Sequence, residues 1–324
     1  MLFDIHGDIW TDVTIKRLKG KRSIIKNDHL ERFRKGNMVG GIFVVWIDPP
    51  HDKNPKDRLI QNLVAMNSEI YENRDVLKVV YNTSEFYKAI NEERLAVLLG
   101  MEGLSSIGDN VEALYTLYQL GFRHASLTWN EQNALGTGVK GDVNRGLTEK
   151  GKEAIKIINN LGIILDVSHA NEKTFWDIYN ITDKPFIASH SNAKALCDVP
   201  RNLSDDQIIA IGDKDGLIGI NAHNYFVNLD YNISNVDHFI NHLEHVINLI
   251  GINRVALGFD FFEYLEGDTG GTFLNDPYKG TIGLEDISKT NNLLSKLESR
   301  GFSNEDIEKI CFKNFINLMD RILI

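Results

Sequence analysis

His6 and Asp8, Glu102, His169 and His190 each stand where a short apolar run stops, in LFDIHGD, LAVLLGME, IILDVSH and PFIASH. Imidazole and carboxylate are the side chains that zinc-like divalent metals take from proteins. His6 and Asp8 are two residues apart, so on an extended segment both project to one face and can chelate one ion. Glu102 ends an apolar run, where an unpaired carboxylate would be costly to bury. Between two cations it could bridge with both oxygens. Each residue has an ordinary alternative: a polar strand end, a Glu that caps the Ser105–Ser106 turn, a satisfied core histidine. Four separate runs delivering such groups are harder to explain by core packing, and they are what a two-metal hydrolase needs.

Further candidates lie around these five. Asp260 ends RVALGFD and could take a proton from a metal-activated water, or cap a helix. Asp166, just before His169, could orient a ligand from behind or line the interior. His223 reads as pocket lining rather than a ligand. Arg201, in DVPRNLSDDQ, offers a planar fork for a substrate carboxylate, or a surface pair with Asp205 or Asp206. The glycines match no phosphate-binding fingerprint, and no His-Glu-x-x-His helix is present.

Composition sets the frame. The chain has 324 residues, 43% hydrophobic and 25% charged, ordinary values for a globular protein. A formal net charge of -10 argues against nucleic acid and anionic membrane as partners. It leaves room for an anionic small substrate, because metals and one Arg can reverse the local sign. Two cysteines, Cys197 and Cys311, make no disulfide framework and read as reduced and buried, with a catalytic thiol as the alternative. No run reaches the ~18 apolar residues of a membrane span. The opening MLFDIHGDIW lacks a basic segment, which predicts no secretory signal and a cytoplasmic protein.

Something must bring these residues together. Eight apolar runs, at 2–8, 39–47, 95–102, 123–128, 163–168, 185–189, 216–222 and 254–259, alternate with helical stretches. That alternation predicts a parallel sheet covered on both faces. Its simplest form is an α/β fold, a single (β/α)8 TIM barrel over 1–324, with an open doubly wound sheet as the alternative. VLKVVY (76–81) is an excursion. A long amphipathic stretch runs from Thr11 to Lys35 with a break at Gly20. Thr83 or Ser84 is expected to cap one helix that Ser84 and Glu85 open, Asp109 to cap another, and Ser303 to open the last. The loop from Glu263 to Leu284, with Asp268 and Asp276, is expected to cover one side of the mouth.

The chain resembles the zinc-dependent membrane (renal) dipeptidase family and its bacterial-type members almost end to end. The resemblance rests on DIHGD (4–8), LLGMEG (98–103), LGFRHASLTWNEQN (120–133), ILDVSH (164–169), PFIASHSNAKAL (185–196), PRN (200–202), ALGFD (256–260) and the tail from GLEDISK onward. It implies a barrel of the metal-dependent hydrolase type with two divalent ions, zinc being the metal expected. His6 and Asp8 would bind the first, Glu102 would bridge, and His169 and His190 would bind the second. Asp260 would contact the bridging water and shuttle its proton, and Arg201 would hold the substrate's terminal carboxylate. The implied activity is hydrolysis of dipeptides, L-L and also L-D, with a metal-bridged hydroxide as nucleophile, in a homodimer.

Two departures bear on substrate. Trp129 stands where mammalian members carry a His thought to polarise the scissile carbonyl, and an indole N–H can donate but carries no charge. Phe262 and Glu263 replace the Asp and Gly that usually follow Asp260. Trp129 is therefore a substrate-binding candidate, and the pocket should be more apolar. A metal-dependent hydrolase of another small amide, lactam or lactone is the alternative. A ligand-binding barrel without catalysis is a third reading, from a different class.

Overall fold

The computed structural model describes residues 1–265 and 280–323. In it the apolar runs lie side by side in chain order. β1 (Leu2–Gly7), β2 (Met38–Trp46), β3 (Leu77–Val79), β4 (Leu95–Glu102), β5 (Phe122–Ser126), β6 (Ile164–Asp166), β7 (Ile187–Ala188), β8 (Leu217–Ile220) and β9 (Val255–Leu257) form one sheet. Its order is β1-β2-β4-β5-β6-β7-β8-β9, and β3 pairs with β4 outside that path. Each pairing between strands is parallel. β3 is the VLKVVY excursion, and the other eight strands are the predicted runs. Every residue of β1, β4 and β5 is buried, as expected where helices cover the outside and side chains fill the inside.

The two ends of the sheet meet through a side chain. Asp4 Oδ1 accepts the N–H of Phe259, just past β9, at 3.0 Å and the N–H of His6 at 3.3 Å. The result is a nearly closed (β/α)8 barrel, and the open doubly wound sheet is excluded. Near this seam the backbones crowd. A Cβ on Gly219 or Gly258 would lie 2.0 or 1.7 Å from the Ser189 carbonyl oxygen, so only glycine permits the approach.

Several helix ends differ from expectation. The stretch from Thr11 to Lys35 is two helices, Ile9–Leu18 and Leu30–Lys35, joined through a π turn at Ile25–His29. Gly20, with φ +88, follows the first. Ser84 and Glu85 do lie in the opening turn of the helix Thr83–Asn91, but Asn82, rather than Thr83 or Ser84, caps it by accepting the Glu85 N–H. The helix Ala113–Gln119 starts after Asp109, with Glu112 at its N-cap and no side-chain cap. Ser303 does open its helix, in a capping box with Asp306. Asp268 and Asp276 lie outside the described residues. Cys197 and Cys311 are buried free thiols. No described helix is long and apolar enough to cross a membrane.

Candidate metal centre

The predicted ligands arrive at the C-terminal ends of their strands, the end where barrel active sites are built. His6 lies within β1, and Asp8 follows it at the N-cap of the helix Ile9–Leu18, where its carboxylate makes no capping bond. Glu102 ends β4. His169, His190 and Asp260 lie just past β6, β7 and β9. His169 and Asp260 have φ of 72° and 59°. Non-glycine residues seldom adopt that region, and such outliers gather at functional sites.

All six meet. His169 Nε2 is 2.9 Å from Glu102 Oε1, and His6 Nε2 and His190 Nε2 are each 3.5 Å from that same oxygen. His169 Nε2 and His190 Nε2 stand 2.8 Å apart. His6 Nε2 is 3.9 Å from Asp260 Oδ1. Three sets have one ligand atom per residue within 4.8 Å of each other: His6, Asp8 and Glu102; Glu102, His169 and His190; His6, His190 and Asp260.

The electrostatics favour a cation. Burial pushes the pKa of His6 down to about 3 and holds His169 and His190 well below the usual imidazole range, so all three are neutral. Burial and the charge of Asp260 push Asp8 up, and burial with the charges of Asp8 and Asp260 does the same to Glu102. Burial pushes Asp260 up to about 7, against the opposing Arg201 charge and a hydrogen bond from Asn221. Carboxylates repelling each other among neutral imidazoles have little compensating charge beyond that of Arg201. His6 Nε2 and Asp8 Oδ1 are buried without hydrogen-bond partners. Divalent ions held by these oxygen and nitrogen donors would satisfy both deficits, so the residues fit a metal.

Beside the cluster opens a cleft with about 430 Å³ of empty space, its solvent-open mouth included. Arg201 lines it and is buried, not paired at the surface with Asp205 or Asp206. Its Nη2 donates to the His190 carbonyl at 3.2 Å, while Nε has no partner. Trp129 also lines the cleft, its ring centroid 5.1 Å from Trp46 and 5.9 Å from His169. His223 caps the short helix Asn224–Val227 through Nδ1 and packs on Phe226 and Phe262, which is lining rather than ligation. Phe262 brings the apolar wall expected of it.

A family model described as membrane dipeptidase (peptidase family M19) matches residues 1–322. The chain belongs to this family. An uncharacterized protein from the pqqA 5′ region of Klebsiella pneumoniae is 31% identical over 83% of this chain and 97% of its own. Dipeptidase aclJ of Aspergillus oryzae is 27% identical over 98% of this chain and 77% of its own. Among solved structures, a metallo peptidase from Rhodobacter sphaeroides, liganded with a phosphinate mimic of the dipeptide L-Ala-D-Ala, superposes with a TM-score of 0.86. It is 25% identical, with 99% of both chains covered. The metallo peptidase dipeptidase AC has a TM-score of 0.88 at 24% identity, covering 99% of this chain and 98% of its own, a likeness of fold. The protein is a hydrolase of the dipeptidase type.

Within this dipeptidase-family site, sequence reading missed the supporting shell. Asn130 Oδ1 meets His169 Nδ1 at 2.9 Å, and the Asn221 amide donates to Asp260 Oδ2 at 2.9 Å. Asp166 does not touch His169 through any hydrogen bond described; it accepts from Ser168 N, Ser189 N, Ser189 Oγ and His124 Nε2. Burial alone would raise its pKa, but the hydrogen bonds from His124 and Ser189 hold it down at about 2. Asn130, His124 and Ser189 stood in quoted motifs without a role. Asn221 carried no signal beyond its place in the seventh apolar run.

Proposed function

We propose that the protein is a two-metal dipeptidase that hydrolyses L-L and L-D dipeptides. His6 and Asp8 would hold one cation and His169 and His190 the other, with Glu102 shared between the two sets. The carrying observation is the overlap of two ligand sets at Glu102, one reaching to His6 and Asp8 and the other to His169 and His190. Divalent cations, zinc being the expected pair, supply an acidified water and a polarised carbonyl when bound.

The chain's own residues do the rest. Asp260 takes the proton that the attacking water sheds and passes it to the leaving amine. Its raised pKa suits a base, and nearby divalent charge would draw that value down. Asn221 fixes one carboxylate oxygen and leaves the other toward the cluster. Arg201, which lines the cleft, grips the substrate's C-terminal carboxylate. The free amino end meets Asp8, a metal or a nearby carboxylate. A site that holds both termini admits two residues and no more. Binding of an L-Ala-D-Ala mimic by the Rhodobacter sphaeroides relative supports tolerance of a D-residue at the second position.

The test is a small library of L,L and L,D dipeptides assayed with metal-replete and chelated protein. Metal-dependent cleavage of unblocked dipeptides is expected. A second reading, hydrolysis of another small amide, lactam or lactone, is favoured by the aromatic walls at Trp129 and Phe262. It takes precedence if the metal-replete protein leaves every dipeptide intact.

A further inference from the structure

The Ser189 hydroxyl sits where three side chains meet. Its Oγ is 2.5 Å from Asp166 Oδ2, 2.8 Å from His190 Nδ1 and 3.3 Å from His6 Nδ1. A serine hydroxyl has one proton and two lone pairs. Asp166 Oδ1 already accepts the Ser168 and Ser189 N–H groups at 2.9 and 3.0 Å, and Oδ2 also faces His124 Nε2 at 3.0 Å. An ionised carboxylate can only accept, so the serine proton points at Asp166. Both serine lone pairs are then left for the histidines, and each imidazole must bring a proton on Nδ1. A neutral imidazole has one N–H. Nε2 of His6 and Nε2 of His190 are therefore bare lone pairs, and both face Glu102 Oε1 at 3.5 Å.

We infer that Ser189 is a positioning residue that fixes the tautomer of two metal ligands at once, one for each cation. This rests on the two-metal reading above, in which His6 and His190 serve different ions. An outer-shell partner ordinarily orients one ligand. Here a single hydroxyl, charged with orientation by Asp166, serves two. The serine cannot drift, because its carbonyl oxygen is packed against Gly219 and Gly258, where no Cβ fits. The rings of His6 and His190 are also stacked, with centroids 3.6 Å apart, so a turn of one disturbs the other.

Two substitutions separate this from plain packing. Ser189→Ala deletes one oxygen and leaves both Nδ1 atoms without their acceptor, so zinc affinity should fall at both positions, by roughly 10–100-fold each. Asp166→Asn acts differently. Its amide oxygen must stay on the side of the two backbone N–H groups, which turns its NH2 toward Ser189 Oγ. The serine proton is then forced onto one histidine, whose Nε2 acquires the hydrogen. One zinc ion should be weakened and the other kept.

The readouts are zinc titration against a chromophoric chelator and nitrogen-15 imidazole spectra of the metal-free protein. Circular dichroism checks that each variant is folded. The wild-type spectrum should have His6 and His190 protonated at Nδ1, and Ser189→Ala should populate the Nε2–H form of both. Nε2–H on either ring of the wild type overturns the inference, as does wild-type affinity for both zinc ions in Ser189→Ala. A wild-type protein that binds fewer than two zinc ions defeats the two-metal reading instead, and its metal-free spectrum still decides the tautomers.

Discussion

The amide of Asn221 donates to Asp260 Oδ2 at 2.9 Å, while Asp260 Oδ1 faces His6 Nε2 at 3.9 Å. One oxygen is anchored and the other is turned to the cluster. Asp260→Asn preserves that shape and removes the basicity. It should retain its metal and lose roughly 10²–10⁴-fold in kcat. Metal analysis and steady-state kinetics on one preparation check this, and wild-type turnover would remove Asp260 from the proton path.

Arg201 is placed to bind rather than to react. Arg201→Ala should raise KM far more than it lowers kcat, with a loss in kcat/KM of about 10–100-fold, the range of a charge-assisted hydrogen bond. Amidating the C-terminus of the dipeptide should cost the wild type a similar factor and cost the variant little more. An equal penalty in both proteins would separate Arg201 from the substrate carboxylate.

Chelation should abolish turnover and also destabilise the barrel, because the ligands come from separate strands. A cation held at about 100 times its Kd contributes ~2.7 kcal/mol to stability. Its removal should lower Tm by on the order of 5 °C in a chain of this size. Calorimetry with and without chelator measures it, and an unchanged Tm would mean that the cluster holds no ion in solution.

Acid should weaken the fold through buried histidines that are not among the candidate metal ligands. Burial pushes His29 and His242 down to about 4 from the usual 6.5. The unfolded chain therefore binds more protons than the folded one between those values, so stability is full above about 6.5 and falls as pH drops toward 4. His242 Nδ1 accepts the Ala193 N–H at 3.1 Å, a bond that protonation breaks. Urea midpoints at pH 7, 6 and 5 should decline, and His242→Gln should flatten the decline. Parallel curves for both proteins would contradict the assignment.

Trp129→His puts an imidazole beside His169 in place of an indole. If the indole is what limits help to the carbonyl, dipeptide turnover should rise, up to the ~10²–10³ that one oxyanion donor is worth. No change in kcat on any dipeptide would place this position away from the reacting carbonyl.

The barrel was legible because its strands read as eight separate apolar runs alternating with helical stretches. Of the candidate ligands that the fold brings together, His6, Glu102 and His190 were legible because they interrupt apolar sequence where a neutral filler would serve packing better. The supporting shell was not. Ser189 and Asn221 act through single hydrogen bonds whose partners lie far away in sequence, and a serine or asparagine beside a strand end is common. The helix caps expected at Asp109 and at Thr83 or Ser84, and found at Glu112 and Asn82, have a similar origin. Several nearby polar residues can serve as a cap, and the tertiary path of the chain chooses between them.

The seam at Asp4 bears on how the protein is made. Its carboxylate and the Phe259 amide it accepts are 255 residues apart. A ribosome delivers the first strand with His6 and Asp8 long before the last strand exists to receive it. During that interval the opening segment has no neighbour on one flank, and the acidic group destined for the seam stays hydrated. Ring closure is therefore a late event in biogenesis, and a nascent chain cannot bring Asp260 to the cluster until its last strand has been translated.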